Sequence, residues 1–186
     1  MEGEQVILVD EADRVIGSEE KLLAHRLGSL HRAVSVLVVD REGRWLLQQR
    51  AADKYHSGRL WSNACCGHPR PGETAVAAAA RRLWEEMGIQ CPLNLLSQVR
   101  YTADVCAGLT ENEIAHVFLG RHEGDPVADP CEAMSWAWQD PAWIAEDMLQ
   151  RPLKYTPWFR IYFDRLRHAT QPPDGLTADL APPRRP

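Results

Sequence analysis

The sequence predicts a mixed α/β domain built around one sheet. Along the chain, apolar residues alternate between strand-like and helix-like spacing, which is the pattern of elements packed on a single sheet. The run TAVAAAARRLWEEM from Thr74 is strongly helix-forming, and Gly88 stands where a C-cap is wanted. A length of 186 residues supplies a core for one domain and too little for two.

The elements follow in order. QVILVD and RVIG flank a short acidic turn and form a predicted hairpin. Gly17-Ser18-Glu19-Glu20 offers an N-cap with acids in the first turn, so a short helix is expected through His25. Ala33 to Asp40 is rich in β-branched residues and Arg44 to Arg50 is extended in character, with Asp40-Arg41-Glu42-Gly43 as the turn of a central hairpin. ENEIAHVFLG alternates with period two, which puts Glu111, Glu113, Ala115 and Val117 on one strand face and Asn112, Ile114, His116 and Phe118 on the other. SWAWQD reads as another strand. Asp140-Pro141 and Thr156-Pro157 each resemble an N-cap followed by proline at the first helical position, and predict two closing helices. On the last, Phe159, Tyr162, Phe163 and Leu166 recur at helical spacing and read as core. From Gln171 the chain carries five prolines in sixteen residues, so 1–170 is expected to be the domain and 171–186 a disordered tail.

Composition excludes several classes. Hydrophobic residues at 45% and charged residues at 25% are those of a globular chain, which rules out wholesale disorder. The net charge is -5 with Lys and Arg scattered, against a nucleic-acid partner. No stretch approaches the roughly 18 apolar residues needed to cross a bilayer, and the first ten residues carry acids where a secretion signal carries bases. A cytoplasmic protein without a membrane partner is expected, either a monomer or a weak homodimer. Cys65, Cys66, Cys91, Cys106 and Cys131 are odd in number and lack CxxC spacing, so free thiols are expected.

Gly67-His68-Pro69-Arg70-Pro71-Gly72-Glu73, seven residues, then Arg81-Arg82-Leu83-Trp84-Glu85-Glu86-Met87-Gly88-Ile89 resembles the Nudix box, G-x5-E-x7-R-E-U-x-E-E-x-G-U. Every fixed position fits but one. Arg82 stands where the hydrolases of that family carry a metal-binding glutamate. A guanidinium cannot hold a cation, but its planar fork matches phosphate oxygens. Taken alone, RRLWEE would read as two i,i+4 ion pairs on a solvated helix face.

The pattern extends beyond the box. His25 and His31, the segment WSNACCGH and the triplet ENE resemble the type I isopentenyl-diphosphate delta-isomerases of the Nudix superfamily, from about Gln5 to Trp158. The resemblance implies a Nudix-like α/β/α sandwich with a mixed central sheet. It also implies one divalent metal among His25, His31, His68, Glu111 and Glu113. Three imidazoles and two carboxylates suit Mn2+, Zn2+ or Mg2+. A second Mg2+, bridging the diphosphate, is implied at Glu86.

In that family a proton is delivered to one carbon of an isopentenyl chain and another removed two bonds away, through a tertiary carbocation. The resemblance implies Cys66 and Glu113 as the acid and base, on opposite sides of the hydrocarbon. A thiol gives or takes a proton with only modest tuning. Neighbouring side chains of an extended segment face opposite ways, so only one of Cys65 and Cys66 lines the pocket, and register selects Cys66. Trp158 over the hydrocarbon and Tyr101 beside Glu113 complete the implied catalytic set, with Trp61 as a second pocket wall. Lys21, Arg50, Lys54 and Arg82 are implied diphosphate ligands, and Lys21 and His25 share a helix face. The partner is then a small isoprenoid diphosphate. A Nudix hydrolase of a nucleoside diphosphate derivative is the alternative, and a metal-stabilised binding module without catalysis a third reading.

Overall fold

The computed structural model describes residues 3–105 and 108–170. Nine strands join in one mixed sheet: β1 (Gln5–Val9), β2 (Val15–Glu20), β3 (His31–Val39), β4 (Trp45–Arg50), β5 (Trp61–Asn63), β6 (Cys65–Gly67), β7 (Leu93–Asp104), β8 (Thr110–Arg121) and β9 (Ala133–Gln139). Four helices accompany them: α1 (Lys21–Leu27), α2 (Ala75–Met87), α3 (Pro141–Gln150) and α4 (Pro157–Leu166). The proposed tail, 171–186, and Cys106 lie outside the described residues; Cys65, Cys66, Cys91 and Cys131 are free thiols.

The spine is β7–β8–β3. β8 runs parallel to β3, with His31 opposite Glu113 and Ser35 opposite Val117, and β7 runs antiparallel to β8, with Tyr101 opposite Glu113. On the other side of β3, Ser35 lies opposite Cys66 of β6. Because side chains alternate along a strand, these registers set His31, Ser35, Cys66, Tyr101 and Glu113 on one face. Val34, Val36, Val38 and Cys65 fall on the opposite face, where Ala78, Ala79, Leu83 and Met87 of α2 cover them. The first face is closed by Ile144 and Met148 of α3 and by Trp158, Phe159, Tyr162 and Phe163 of α4. The architecture is therefore α/β/α, and each large apolar side chain it buries contributes about 1.5–3 kcal/mol.

Several expectations change. The predicted cap at Gly17–Glu20 is strand up to Glu20, whose carboxylate accepts from Leu22 N at 3.1 Å and Leu23 N at 2.8 Å and starts α1 there. Its first turn holds no acid. The central hairpin pairs only at Val39 and Trp45, since β3 is claimed by β6 and β8 and β4 by β5 and β9. Thr156 does not cap α4 through its side chain; its Oγ1 lies 3.0 Å from Ser62 Oγ. Gly88 and Asp140 cap as expected, and Thr74 caps α2 by accepting from Ala77 N.

Candidate active site

Helix α1 is short, yet it carries two polar groups inward. Lys21 and His25 stand one turn apart, and His25 is fully buried. His25 Nδ1–H donates to the Lys21 carbonyl at 2.6 Å, which fixes the tautomer and leaves Nε2 a bare lone pair. That atom has no partner in a buried setting. His31 repeats the arrangement, its Nδ1–H donating to Ser29 O at 2.8 Å. Its Nε2 then faces His68 Nε2 at 3.2 Å and Glu113 Oε1 at 3.4 Å, and His68 Nε2 lies 3.0 Å from the same oxygen.

Donor atoms of His25, His31, His68 and Glu113 all lie within 4.8 Å of one another, and all four residues are buried. An orphaned imidazole nitrogen and lone pairs converging on a carboxylate are costly without a cation. The donor set therefore fits a divalent ion. Glu111 stands beside it: Tyr101 Oη is 2.6 Å from Glu113 Oε2 and 2.9 Å from Glu111 Oε2. Burial and the neighbouring Glu113 charge push Glu111 up, whereas for Glu113 burial is outweighed by the closeness of the His31 and His68 rings, which favours the ionised carboxylate and holds it down. His56 Nε2 lies 3.4 Å from Glu111 Oε1. Adding Mn2+ or Zn2+ to metal-stripped protein is accordingly expected to raise Tm by roughly 5–10 °C at a hundredfold excess over Kd. His31→Gln should abolish the shift; an unchanged melt for the parent protein contradicts the site.

His56, His68, Glu111 and Glu113 line a cavity of about 260 Å³, while His25 and His31 are not on its wall. Cys66, Glu113, Tyr101 and Trp158 all reach it, together with Lys21, Arg50, Lys54 and Arg82. Cys66 Sγ lies 3.3 Å from Ser35 Oγ and 3.4 Å from Asn63 Oδ1. Burial pushes the thiol up to about 12, well beyond modest tuning, so it is protonated at neutral pH. Cys65 is wholly buried under α2 on the other face. Trp158 is fixed by donating from Nε1 to Ser62 Oγ at 2.9 Å, and the Arg50 guanidinium sits 5.2 Å from its ring centre.

Trp61 is not on the cavity wall. It packs instead against the core cluster that contains Trp158 and Phe159, and its ring lies 5.8 Å from Lys154 Nζ. Glu86 is buried; its Oε1 accepts from Arg82 Nη2 at 2.7 Å and its Oε2 from Gln48 Nε2 at 2.6 Å. Arg81 Nη1 meets Glu85 Oε2 at 3.2 Å, so both i,i+4 pairs of RRLWEE exist while Arg82 still reaches the cavity. Glu73 ties the box loop down, accepting from Arg70 N at 2.9 Å and from Arg81 at 2.8 Å. Gly67 is needed for close approach: a Cβ there would stand 2.8 Å from Arg82 Cγ. Gly67→Ala should displace that side chain and raise KM for a diphosphate substrate about tenfold, and an unchanged KM would show that Arg82 does not bind it.

Sequence reasoning missed Glu4, Tyr55, His56, Glu132 and Tyr162 as cavity residues. Tyr162 carried a helical-spacing signal that marked it as core, and it is both: buried, and edge-on to Tyr101 at 5.8 Å.

A fold of this layering, with a box loop and helix beside buried metal-type ligands, is that of a Nudix protein, and the NUDIX domain model matches residues 29–159. Solved structures agree on the fold. DR0079 from Deinococcus radiodurans gives a TM-score of 0.64 at 19% identity, covering 81% of this chain and 98% of that one. The MutT protein from Methanosarcina mazei gives 0.63 at 22%, covering 77% and 96%. Much nearer in sequence is an Isopentenyl-diphosphate Delta-isomerase 1 of Aromatoleum aromaticum, 54% identical over 163 residues that span 88% of this chain and 92% of the relative. A protein named Isopentenyl-diphosphate Delta-isomerase from Serratia proteamaculans is 48% identical over 84% of this chain and 87% of its own. The chain belongs to the isopentenyl-diphosphate Delta-isomerase family within the Nudix superfamily.

Proposed function

We propose that the chain interconverts isopentenyl and dimethylallyl diphosphate by a 1,3-allylic proton transfer, with Cys66 and Glu113 as the two proton-transfer groups. The observation that carries this is their arrival, from strands on either side of β3, in one cavity that also presents four cationic side chains. One group adds a proton to the terminal alkene carbon, giving a tertiary cation. The other removes a proton from the carbon two bonds away, and the alkene re-forms internally. The two groups exchange protonation states in each turnover, and the reverse reaction begins from the swapped pair.

The remaining residues serve that transfer. Trp158 and Tyr162 present aromatic surface, and a desolvated cation over an indole gains about 2 kcal/mol. Tyr101 holds the Glu113 carboxylate in place. Lys21, Arg50, Lys54 and Arg82 bind the diphosphate, and Glu86 would hold an Mg2+ that neutralises part of its charge. His25, His31, His68, Glu111 and Glu113 would hold the second ion, which would lower the proton affinity of the Glu113 carboxylate and fix its direction. The donor set suits Mn2+, Zn2+ or Mg2+, and metal analysis of the purified protein identifies the ion.

Arg82 in the box disfavours the hydrolase alternative, because it replaces an acid that such chemistry needs with a group that grips the anion. No described helix is long and apolar enough to cross a membrane. The reading is of a cytoplasmic enzyme, monomeric or weakly dimeric, acting on a small diffusible substrate without nucleic acid or membrane. Incubating the purified protein with isopentenyl diphosphate, Mg2+ and Mn2+ tests it: an allylic diphosphate is expected, and phosphate release without an allylic product would refute it.

A further inference from the structure

Two of the four cations in the cavity are already held by one carboxylate oxygen. Glu132 Oε2 contacts Lys54 Nζ and lies 3.1 Å from Arg82 Nη2. Glu132 precedes β9, and its carbonyl accepts from Ala51 N at 2.9 Å, so its backbone is pinned where β4 ends. Its side chain is 22% exposed and lines the cavity. Arg82 Nη2 is simultaneously 2.7 Å from Glu86 Oε1, so two carboxylates flank one guanidinium nitrogen. The cavity as a whole presents four Lys and Arg side chains against five carboxylates.

We propose that Glu132 occupies the place of a phosphate oxygen between Lys54 and Arg82, and that its charge makes the cavity select a magnesium-loaded diphosphate over the free anion. The inference rests on the reading of Lys54 and Arg82 as diphosphate ligands. A free diphosphate entering the cavity finds both cations neutralised and must displace Glu132, then remain beside it as a like charge in a poorly solvated site. A diphosphate carrying Mg2+ brings its own cation. Glu132 and Glu86 can turn toward that ion as Lys54 and Arg82 turn to the phosphate oxygens, so no carboxylate is left unpaired. Glu132 is then a specificity-determining residue that never touches the reacting carbons.

Calorimetric titration of inorganic pyrophosphate into the full chain tests this, in magnesium-free buffer and in excess Mg2+. The parent protein is expected to bind at least about tenfold more tightly with Mg2+. Glu132→Gln, which keeps the shape and removes the charge, is expected to bind magnesium-free pyrophosphate about tenfold more tightly than the parent and to lose most of the magnesium dependence. Glu132→Asp, which keeps the charge, should retain that dependence and serves as the second variant should the first fold poorly. If Glu132→Gln leaves magnesium-free binding unchanged, or if Gln and Asp behave alike, the inference falls. Arg82→Gln separates the two levels: it should weaken binding in both buffers. If it weakens neither, the diphosphate assignment and this inference fall together; if it weakens both while Glu132→Gln changes nothing, only the role of Glu132 is lost.

Discussion

Cys66→Ala is expected to lower kcat for isomerisation by at least about a thousandfold, while Cys65→Ala retains most of the activity. The two residues are adjacent, so composition cannot separate them; the pleat does. Cys65 is fully buried in the layer under α2, and Cys66 opens onto the cavity with Ser35 and Asn63 around its sulfur. Removing the Cys66 sulfur deletes one of the two proposed proton-transfer groups and leaves the metal-type ligands in place. Removing the Cys65 sulfur leaves a small core void that costs stability rather than turnover. Steady-state assays with thermal melts distinguish these. A Cys65→Ala protein that is folded but inactive, beside an active Cys66→Ala, would overturn the assignment.

Glu113→Gln should have an effect of similar size by a different route. Its two oxygens meet His68, His31 and Tyr101 at 3.0, 3.4 and 2.6 Å, so on the proposed mechanism one substitution removes both a proton-transfer group and an anionic ligand. Loss of kcat by at least about a thousandfold is expected, together with divalent-ion affinity lowered roughly 10- to 100-fold. Chelator competition measures the second quantity independently of catalysis. Unchanged metal affinity in a folded Glu113→Gln protein would detach this residue from the ion site.

Much of this site was legible because its residues sit in short patterns whose physics is local. Period-two alternation in ENEIAHVFLG put Glu111 and Glu113 on one face, and both are buried together in the structure. Thr74 and Gly88 delimited α2, and the i,i+4 spacing of Lys21 and His25 brought both inward. The family resemblance supplied the ligand set, which no spacing rule would have assembled from residues 25, 31, 68, 111 and 113. What escaped was tertiary. β7, twelve residues long, alternates poorly because much of it is exposed, and only pairing with β8 makes it a strand. β5 and β6 have three residues each, too few for a period. Glu132 and His56 come from connecting segments, and nothing local marks a surface-type acid or a histidine as facing a cavity formed by distant strands. Trp61 precedes the active turn in sequence, and it lies against the core cluster of Trp158 without reaching the cavity wall.

On the proposed mechanism two different groups of this chain, one giving and one taking a proton, work across a single cavity. Isomerisation in D2O, followed by NMR of the product from early turnovers, tests it most directly. Because an exchangeable thiol or carboxyl supplies the added proton, dimethylallyl diphosphate should carry solvent deuterium in a methyl group. Product formed without deuterium would mean that one hydrogen migrates within the substrate, and the pairing of Cys66 with Glu113 would be wrong.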